Sequence, residues 1–557
     1  MRPSTLPRVA ATLVVALALL LVLGGGLQPA GSDVHEDTTF GFKLRPPDDW
    51  TKIPVKLNEG WLVAKYISDR EYSYTEKGGW TYMHRPELMA IAFIDKSLLE
   101  DDEEVEVDED DDEVVVRFRN RYEDYKDYLK KTYSGGGYYV AAEEESERNG
   151  IPVTELEIKV EKLTRTGPKR IVTWIYHLDG VDVAVHVEVL EDHYKKLKRK
   201  IEKSLGSFEE IPRTGELPTD QGSSGDLWFS FSKLDELSLA ERNRRMMEQC
   251  ESLHERVIES LPEGWEHSSE KSCLIVTNAD LKYARRMAEQ TEAVMGWLEK
   301  NFPYVGPQCY VRQPIIRFCK TQDESWAYRR GGGGMGWLGM NMEFVTSLEQ
   351  QRDWIGEFDW ISGQIATHWF QDRDRELWWA TPEWLQYGMA ELFDNSKLKG
   401  KKLSFHRDEW DRDDLREAVR EDRVRGIESL LKMTRSELWD SSGGDFWSAL
   451  EESEGLVYFL IAGKGSKNKK YREIIPTYLQ NLKAVLEEEK AREKEEGKDS
   501  TAPPETEEEE EERFRKRREE LREREQEFLR KVFDRTFEGW SERDWQKLDK
   551  AFLDSIS

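Results

Sequence analysis

The stretch Ile361–Phe393 constrains this chain more than any other; it reads I-S-G-Q-I-A-T-H-W-F-Q-D-R-D-R-E-L-W-W-A-T-P-E-W-L-Q-Y-G-M-A-E-L-F. Trp354, Phe358, Ile361, Ile365 and Trp369 recur at helical spacing and mark one buried face. Glu357, Trp360, Gln364, His368 and Gln371 form a neighbouring stripe, so Gln364 and His368 stand one turn apart. A Trp-rich turn with Trp378 and Trp379 follows, and a second helix is predicted with Thr381 as N-cap, Pro382 at its first position and Glu383 in its first turn. Tyr387 and Glu391 are again one turn apart, while Gly388 and Ala390 permit close approach of the two helices.

The chain has 557 residues, enough for two or three domains, and the elements around the helix pair differ in kind from those before it. Residues 35–212 carry runs rich in β-branched and aromatic residues at Trp61–Ile67, Leu88–Ile94, Val153–Val160 and Arg170–Val189. Asp179-Gly180 supplies a hairpin turn within the last run, and helices are predicted over 120–133 and 192–205. Residues 213–226 have linker composition. From residue 227 the order becomes helix (238–261), strand (272–277), helix (281–302), strand (314–319), which implies a small parallel-type sheet covered by helices. The expected fold class is α+β: an N-terminal antiparallel-sheet α+β domain, then a mostly helical domain with a small sheet over 227–557.

Several segments stand apart. The glycine-rich run 330–339 lacks the Lys and Ser/Thr of a phosphate-cradling loop and is expected to form a lip beside a cleft, leading to an edge strand over 341–345. Helices are predicted at 410–420, 426–433 and 445–462, and residues 483–531 form a charged insertion, part solvated helix and part disorder. The acidic run 100–113 lacks calcium-loop spacing and reads as a solvated insertion.

Residues 1–30 combine a basic start, the apolar run Val9–Leu23 and small residues, the pattern of a signal peptide or N-terminal anchor. Export follows, and membrane attachment only if that segment stays uncleaved. The net charge of -29 repels phosphate backbones, so nucleic acid is not an expected partner. Four cysteines, Cys250, Cys273, Cys309 and Cys319, lack C-x-x-C spacing, and in an exported chain they are expected to form two disulfides of undetermined pairing.

Two resemblances follow from these residues. The opening G-F-K-L-R-P-P-D-D-W, the antiparallel pair around Asp179-Gly180 and the closing S-L-G-S-F-E-E-I resemble the Mog1/PsbP-like fold, which implies binding or scaffolding for residues 35–212. The block P-E-W-L-Q-Y-G-M-A-E-L-F resembles the P-x-W-L-x-E-G-x-A-E-Y/F signature of gluzincin-type, peptidase-MA-like domains, including the DUF1570 group. That resemblance implies a zinc peptidase fold, with the first histidine ligand at Gln364, the general base at Ile365, the second histidine at His368, the glutamate ligand at Tyr387 and a carboxylate beside the ligands at Glu391. Only His368 and Glu391 keep the family's residue type.

Zinc at a catalytic site takes three protein ligands and water, and Ile365 has no proton to move. The expected outcome is a pseudo-peptidase with no catalytic residue, metal or cofactor, in which Gln364, His368, Tyr387 and Glu391 close a hydrogen-bond network in the former metal cavity. The alternatives are an active zinc peptidase with substitute ligands such as Asp372, Glu376 or Glu383, and a structural envelope protein. Trp337, Trp378 and Trp379 either cap the core or line a groove for a polypeptide or glycan.

Overall fold

The computed structural model describes residues 34–98, 122–215, 237–329, 337–338, 342–348, 361–440, 444–496 and 507–556, with a few short gaps inside these ranges. The expected signal segment 1–30, the acidic run 100–113, most of the glycine-rich run 330–339 and much of the linker 213–226 lie outside the described residues. The chain divides into two units, Met1–Trp228 and Phe229–Ser557. The fold class is α+β, with an antiparallel sheet in the first unit and mostly helices in the second.

In the first unit β1 (His35–Asp37) and β2 (Phe42–Leu44) join β12 (Glu209–Glu210) in a small sheet. The main sheet has seven antiparallel strands: β3 (Trp50–Ile53), β4 (Leu62–Ser68), β7 (Glu87–Ile94), β8 (Tyr138–Arg148), β9 (Ile151–Val160), β10 (Lys169–Leu178) and β11 (Val181–Leu190). Their spatial order is β3-β4-β7-β11-β10-β9-β8. A separate hairpin pairs β5 (Tyr72–Thr75) with β6 (Thr81–His84). Two short helices cover the main sheet. α1 (Tyr125–Tyr133) contributes Tyr125, Tyr128 and Leu129 to one core with Ile91, Phe93, Ile158 and Ile171. α2 (Glu191–Leu205) contributes Leu197, Ile201 and Leu205 to the core on Leu88, Val172, Tyr176 and Val185. Successive side chains of a strand alternate faces, so a strand buried on both sides reads as an apolar run, as Leu88–Ile94 of β7 does; β11 is buried on both sides too but carries His186 and Glu188.

The edge strand β8 was not predicted. Its Y-Y-V-A-A-E-E-E-S-E-R sequence is mostly exposed, and the carboxylates blunt the free edge against further pairing. It turns into β9 through Asn149 and Gly150, both at positive φ (53° and 81°), the conformation of a tight type I′ hairpin.

The second unit opens with α3 (Leu239–Glu259), followed by β13 (Glu266–Ser269), β14 (Leu274–Thr277), α4 (Leu281–Asn301), β15 (Ile315–Cys319), α5 (Gln322–Arg329), β16 (Trp337–Leu338) and β17 (Glu343–Ser347). The sheet order is β13-β14-β15-β17-β16, with β14, β15 and β17 parallel and both outer strands antiparallel. The strand expected at the edge is therefore interior: β17 is buried throughout and β16 takes the edge position.

Then come α6 (Ile361–Arg373), α7 (Arg375–Ala380), α8 (Glu383–Asp394), the hairpin β18 (Ser396–Lys399) and β19 (Lys402–Phe405), α9 (Glu409–Arg420), α10 (Ile427–Lys432), α11 (Arg435–Asp440) and α12 (Gly444–Ile461). Last are α13 (Ile474–Glu496), α14 (Glu507–Thr536) and α15 (Glu542–Ile556). The charged insertion is thus helical where it is described. α13 and α14 lie side by side, tied by Lys531–Glu489 at 2.8 Å and Arg535–Glu488 at 2.6 Å.

The expected disulfides do not form: all four thiols are free. Leu274 lies level with Ile315 on parallel strands, so Cys273 just before β14 and Cys319 at the end of β15 are separated by five residue steps, roughly 16 Å at about 3.3 Å per residue. That exceeds what a disulfide spans. Cys250 instead donates to the Gln313 carbonyl at 3.6 Å.

Candidate functional site

Helices α6 and α8 meet where Gly363 removes the side chain that would hold them apart. A Cβ on Gly363 would lie 2.6 Å from the Ala390 carbonyl oxygen, and the Gly363 amide donates to Asp394 Oδ1 at 2.7 Å. On α8, a Cβ at Gly388 would lie 2.7 Å from the Ser453 carbonyl of α12. α8 is therefore clamped between α6 and α12. The connection is a helix rather than a turn: α7 has Asp374 as its N-cap and Thr381 as its C-cap, and α8 begins after Pro382, so Thr381 does not cap α8.

His368 is 1% exposed. Its Nε2 lies 2.9 Å from the main-chain carbonyl of Arg312, which only an N–H can satisfy, so the ring is the Nε2–H tautomer. Asp372, one turn further on and fully buried, has Oδ2 at 3.5 Å from the same nitrogen. Arg312 saturates that carboxylate through its amide at 2.8 Å, its Nε at 2.9 and 3.1 Å and its Nη2 at 2.5 Å. Burial pushes the His368 pKa down, more than the neighbouring Asp372 raises it, so the imidazole is neutral. Burial alone would raise Asp372, but the Arg312 guanidinium holds its pKa below the ordinary carboxylate value.

The other positions are occupied differently. Ile365 is wholly buried in the core with Ile361 and Trp369, and Gln364 is half-buried. Tyr387 is half-buried against the cluster of Leu438, Ala449 and Leu450, and Glu391 is half-buried one turn later. The substitute carboxylates have cationic partners: Asp372 has Arg312, Glu376 has Lys490, and Glu383 accepts from Arg435 at 2.6 Å. Among the described residues, no group of three or more His, Cys, Asp or Glu is placed to hold a metal ion.

The two tryptophans of the inter-helix segment divide between core and surface. Trp378 is 5% exposed and stacks on Phe370 with centroids 4.9 Å apart, so it belongs to the core. Trp379, one step round the same helix, is 54% exposed. Adjacent helical residues point about 100° apart, so the pair cannot line one wall. Trp337 opens the edge strand β16.

A second polar cluster, in the first unit, was not foreseen. On β11, His186 and Glu188 are fully buried, with Thr173 of β10 directly opposite His186. Tyr133 donates to Glu188 Oε2 at 2.7 Å, and Lys169 donates to Oε1 of the same carboxylate. Tyr133 has spent its proton, so its oxygen accepts from His186 Nε2–H across 3.4 Å. With a neutral ring, Nδ1 then accepts from Tyr125 at 2.8 Å, and the Tyr125 oxygen accepts from Thr173 Oγ1 at 2.5 Å. The result is one directed chain from Thr173 to Glu188. The available signal was V-A-V-H-V-E-V-L, where polar residues two apart share a strand face that is otherwise apolar.

No protein-family model matches the chain, and no curated protein matches it. Solved structures similar to part of it include the cyanobacterial PsbP of Synechocystis sp. PCC 6803, at 13% identity over 34% of this chain and 96% of that one, with a TM-score of 0.23. LpqN of Mycobacterium tuberculosis, described as involved in cell envelope biogenesis, aligns at 13% identity over 32% of this chain and 88% of its own, with a TM-score of 0.21. PA94 of Pseudomonas aeruginosa, a putative regulator, aligns at 8% identity over 30% and 99%, with a TM-score of 0.16. Likenesses of this size assign no function. The metallopeptidase resemblance of the second unit rests on its residues alone.

Proposed function

We propose that the chain is an exported, non-catalytic binding protein of the cell envelope, whose second unit uses a zinc-peptidase-like helix pair as packed core rather than as an active site. The observation that carries this reading is how His368 is used. Its Nε2–H is committed to the Arg312 carbonyl, and the carboxylate one turn away is saturated by Arg312. The side chain at the general-base position, Ile365, is hydrocarbon and wholly buried. An amide at Gln364 and a phenol at Tyr387 complete a donor set poorly suited to zinc. The export part of the reading rests on the basic, apolar and small-residue pattern of residues 1–30.

The partner class is a polypeptide or glycan, for which the exposed ring of Trp379 is one aromatic contact. The test is hydrolysis of a mixed peptide library by the full chain with zinc supplied. No cleavage above that of His368→Gln is expected; zinc-dependent cleavage lost in that variant would overturn the reading.

A further inference from the structure

After α8 the chain folds into the β18–β19 hairpin, whose sequence S-K-L-K-G-K-K-L-S-F carries four lysines in ten residues. Side chains alternate along each strand, and the register sets Leu398 opposite Leu403 on one face and Lys399 opposite Lys402 on the other. Leu403 and Phe405 pack on the core of the second unit, and Phe405 meets Trp297 edge-on with centroids 5.1 Å apart. Lys397, two residues before Lys399, therefore shares the outer face with Lys399 and Lys402. Lys401 sits in the turn beside Gly400, which takes φ 63°. A Cβ on Gly400 would meet nothing within 4 Å, so the tip stands clear of its surroundings.

All four lysines are exposed, and none has an ion-pair partner among the described residues. That is a departure in a chain with 112 acidic and 83 basic residues. His406, at the base of the ribbon with Ser404 Oγ 2.6 Å from its Nε2, registers their field. Burial, then Lys399 and Lys397, hold its pKa below the ordinary imidazole value, and no carboxylate among the described residues opposes them. Like charges directly opposite on a ribbon cost stability, so the Lys399–Lys402 pair does nothing for folding. An external anionic surface relieves that repulsion. The lysines surround no enclosed space, and lysine offers hydrated point charges rather than the planar fork with which arginine grips a single phosphate or carboxylate. Such a face suits a surface that carries many negative groups. Screening limits electrostatic reach to about 8 Å at physiological salt, so the acidic excess elsewhere in the chain does not cancel attraction at the ribbon.

We propose that the outer face of the β18–β19 ribbon docks on the surface of an anionic phospholipid membrane. The contact is peripheral, since Leu403 and Phe405 are turned to the core. It is independent of how the α6–α8 pair is read and of the fate of residues 1–30.

The test is co-sedimentation of the full chain with phosphatidylcholine vesicles, with and without phosphatidylglycerol. Any hold exerted by the apolar run Val9–Leu23 is common to both vesicle types, so the difference between them reports charge. The expected result is a preference for phosphatidylglycerol that raised salt abolishes and that Lys399→Gln/Lys402→Gln weakens at least about tenfold. Removing two opposed ammonium groups should leave the circular dichroism of the parent unchanged. If it does not, Lys397→Gln/Lys401→Gln replaces that variant with the same expectation. Lys195→Gln/Lys203→Gln, at exposed positions of α2 in the first unit, should keep the preference. No preference between the vesicles, a preference unchanged in the ribbon variant, or equal losses in the ribbon and α2 variants would overturn the proposal. So would binding of poly-L-glutamate that the ribbon variant loses, without any preference between vesicles, since that result assigns the ribbon to an acidic polypeptide.

Discussion

The imidazole of His368 and the main-chain carbonyl of Arg312 are joined by a 2.9 Å hydrogen bond inside the second unit, where neither group reaches water. That bond gives His368 a role in the core that needs no metal. It satisfies the carbonyl just before β15, while Asp372 fixes the Arg312 side chain from the next turn of α6. Replacing His368 by Ala removes the donor and leaves a void. Unfolding free energy should fall by about 3 kcal/mol, read by urea titration. His368→Gln, which keeps an N–H donor, should recover much of that loss. An alanine variant as stable as the parent would contradict this role.

Glu452 provides a pH prediction. It is buried on α12, and burial raises its pKa from the ordinary 4.5 to about 7, despite Arg425 and the Ser448 hydroxyl at 3.1 Å. A carboxyl raised in the folded state favours its protonated form there. The stability it contributes is complete below the unfolded value of 4.5 and is lost as pH rises through about 7. Glu452→Gln removes this dependence. Relative to the parent, the variant should gain stability between these two pH values, by up to about 3 kcal/mol. Parallel stability–pH curves for the two proteins would rule the assignment out.

The directed chain through His186 makes Tyr125 and Tyr133 energetically coupled, because both bond the same ring. Tyr133→Phe removes the donor to Glu188 Oε2 and the acceptor of His186 Nε2–H and should cost about 1–3 kcal/mol, with Tyr125→Phe similar. In a double-mutant cycle the two losses should deviate from additivity by more than about 0.5 kcal/mol. Strict additivity would mean that the ring does not link them.

The cysteines give a chemical count. In denaturant without reductant, all four should react with a thiol reagent. In the native state Cys309 should react first, since Cys250, Cys273 and Cys319 are buried and burial raises the pKa of each thiol. Two reactive thiols or none in denaturant would restore the disulfide expectation.

What could be read in advance depended on whether local signals and burial agreed. The β10–β11 hairpin was legible because β-branched residues flank Asp179-Gly180, and Gly180 takes φ 70° at the turn. The close approach of α6 and α8 was legible in part: Ala390 lies at the contact, but its partner is Gly363, while Gly388 faces α12. β8 was not legible, because an exposed edge strand rich in glutamate carries little of the apolar alternation that marks a strand. α7 looked like a turn since Trp378-Trp379 was read as a cluster, whereas one ring goes to the core and the other to solvent. The Arg312–Asp372–His368 group was illegible for a different reason. Asp372 and His368 share a helix face, but nothing local announces that Arg312, far away in sequence, will close over them.

The central claim is that the α6–α8 pair is a packed core and not a metal centre. Zinc content of the full chain, purified without chelator and then dialysed against zinc, tests it most directly by elemental analysis. The account predicts sub-stoichiometric zinc that is unchanged by His368→Gln. One zinc per chain, lost in that variant while its fold is retained, would contradict it.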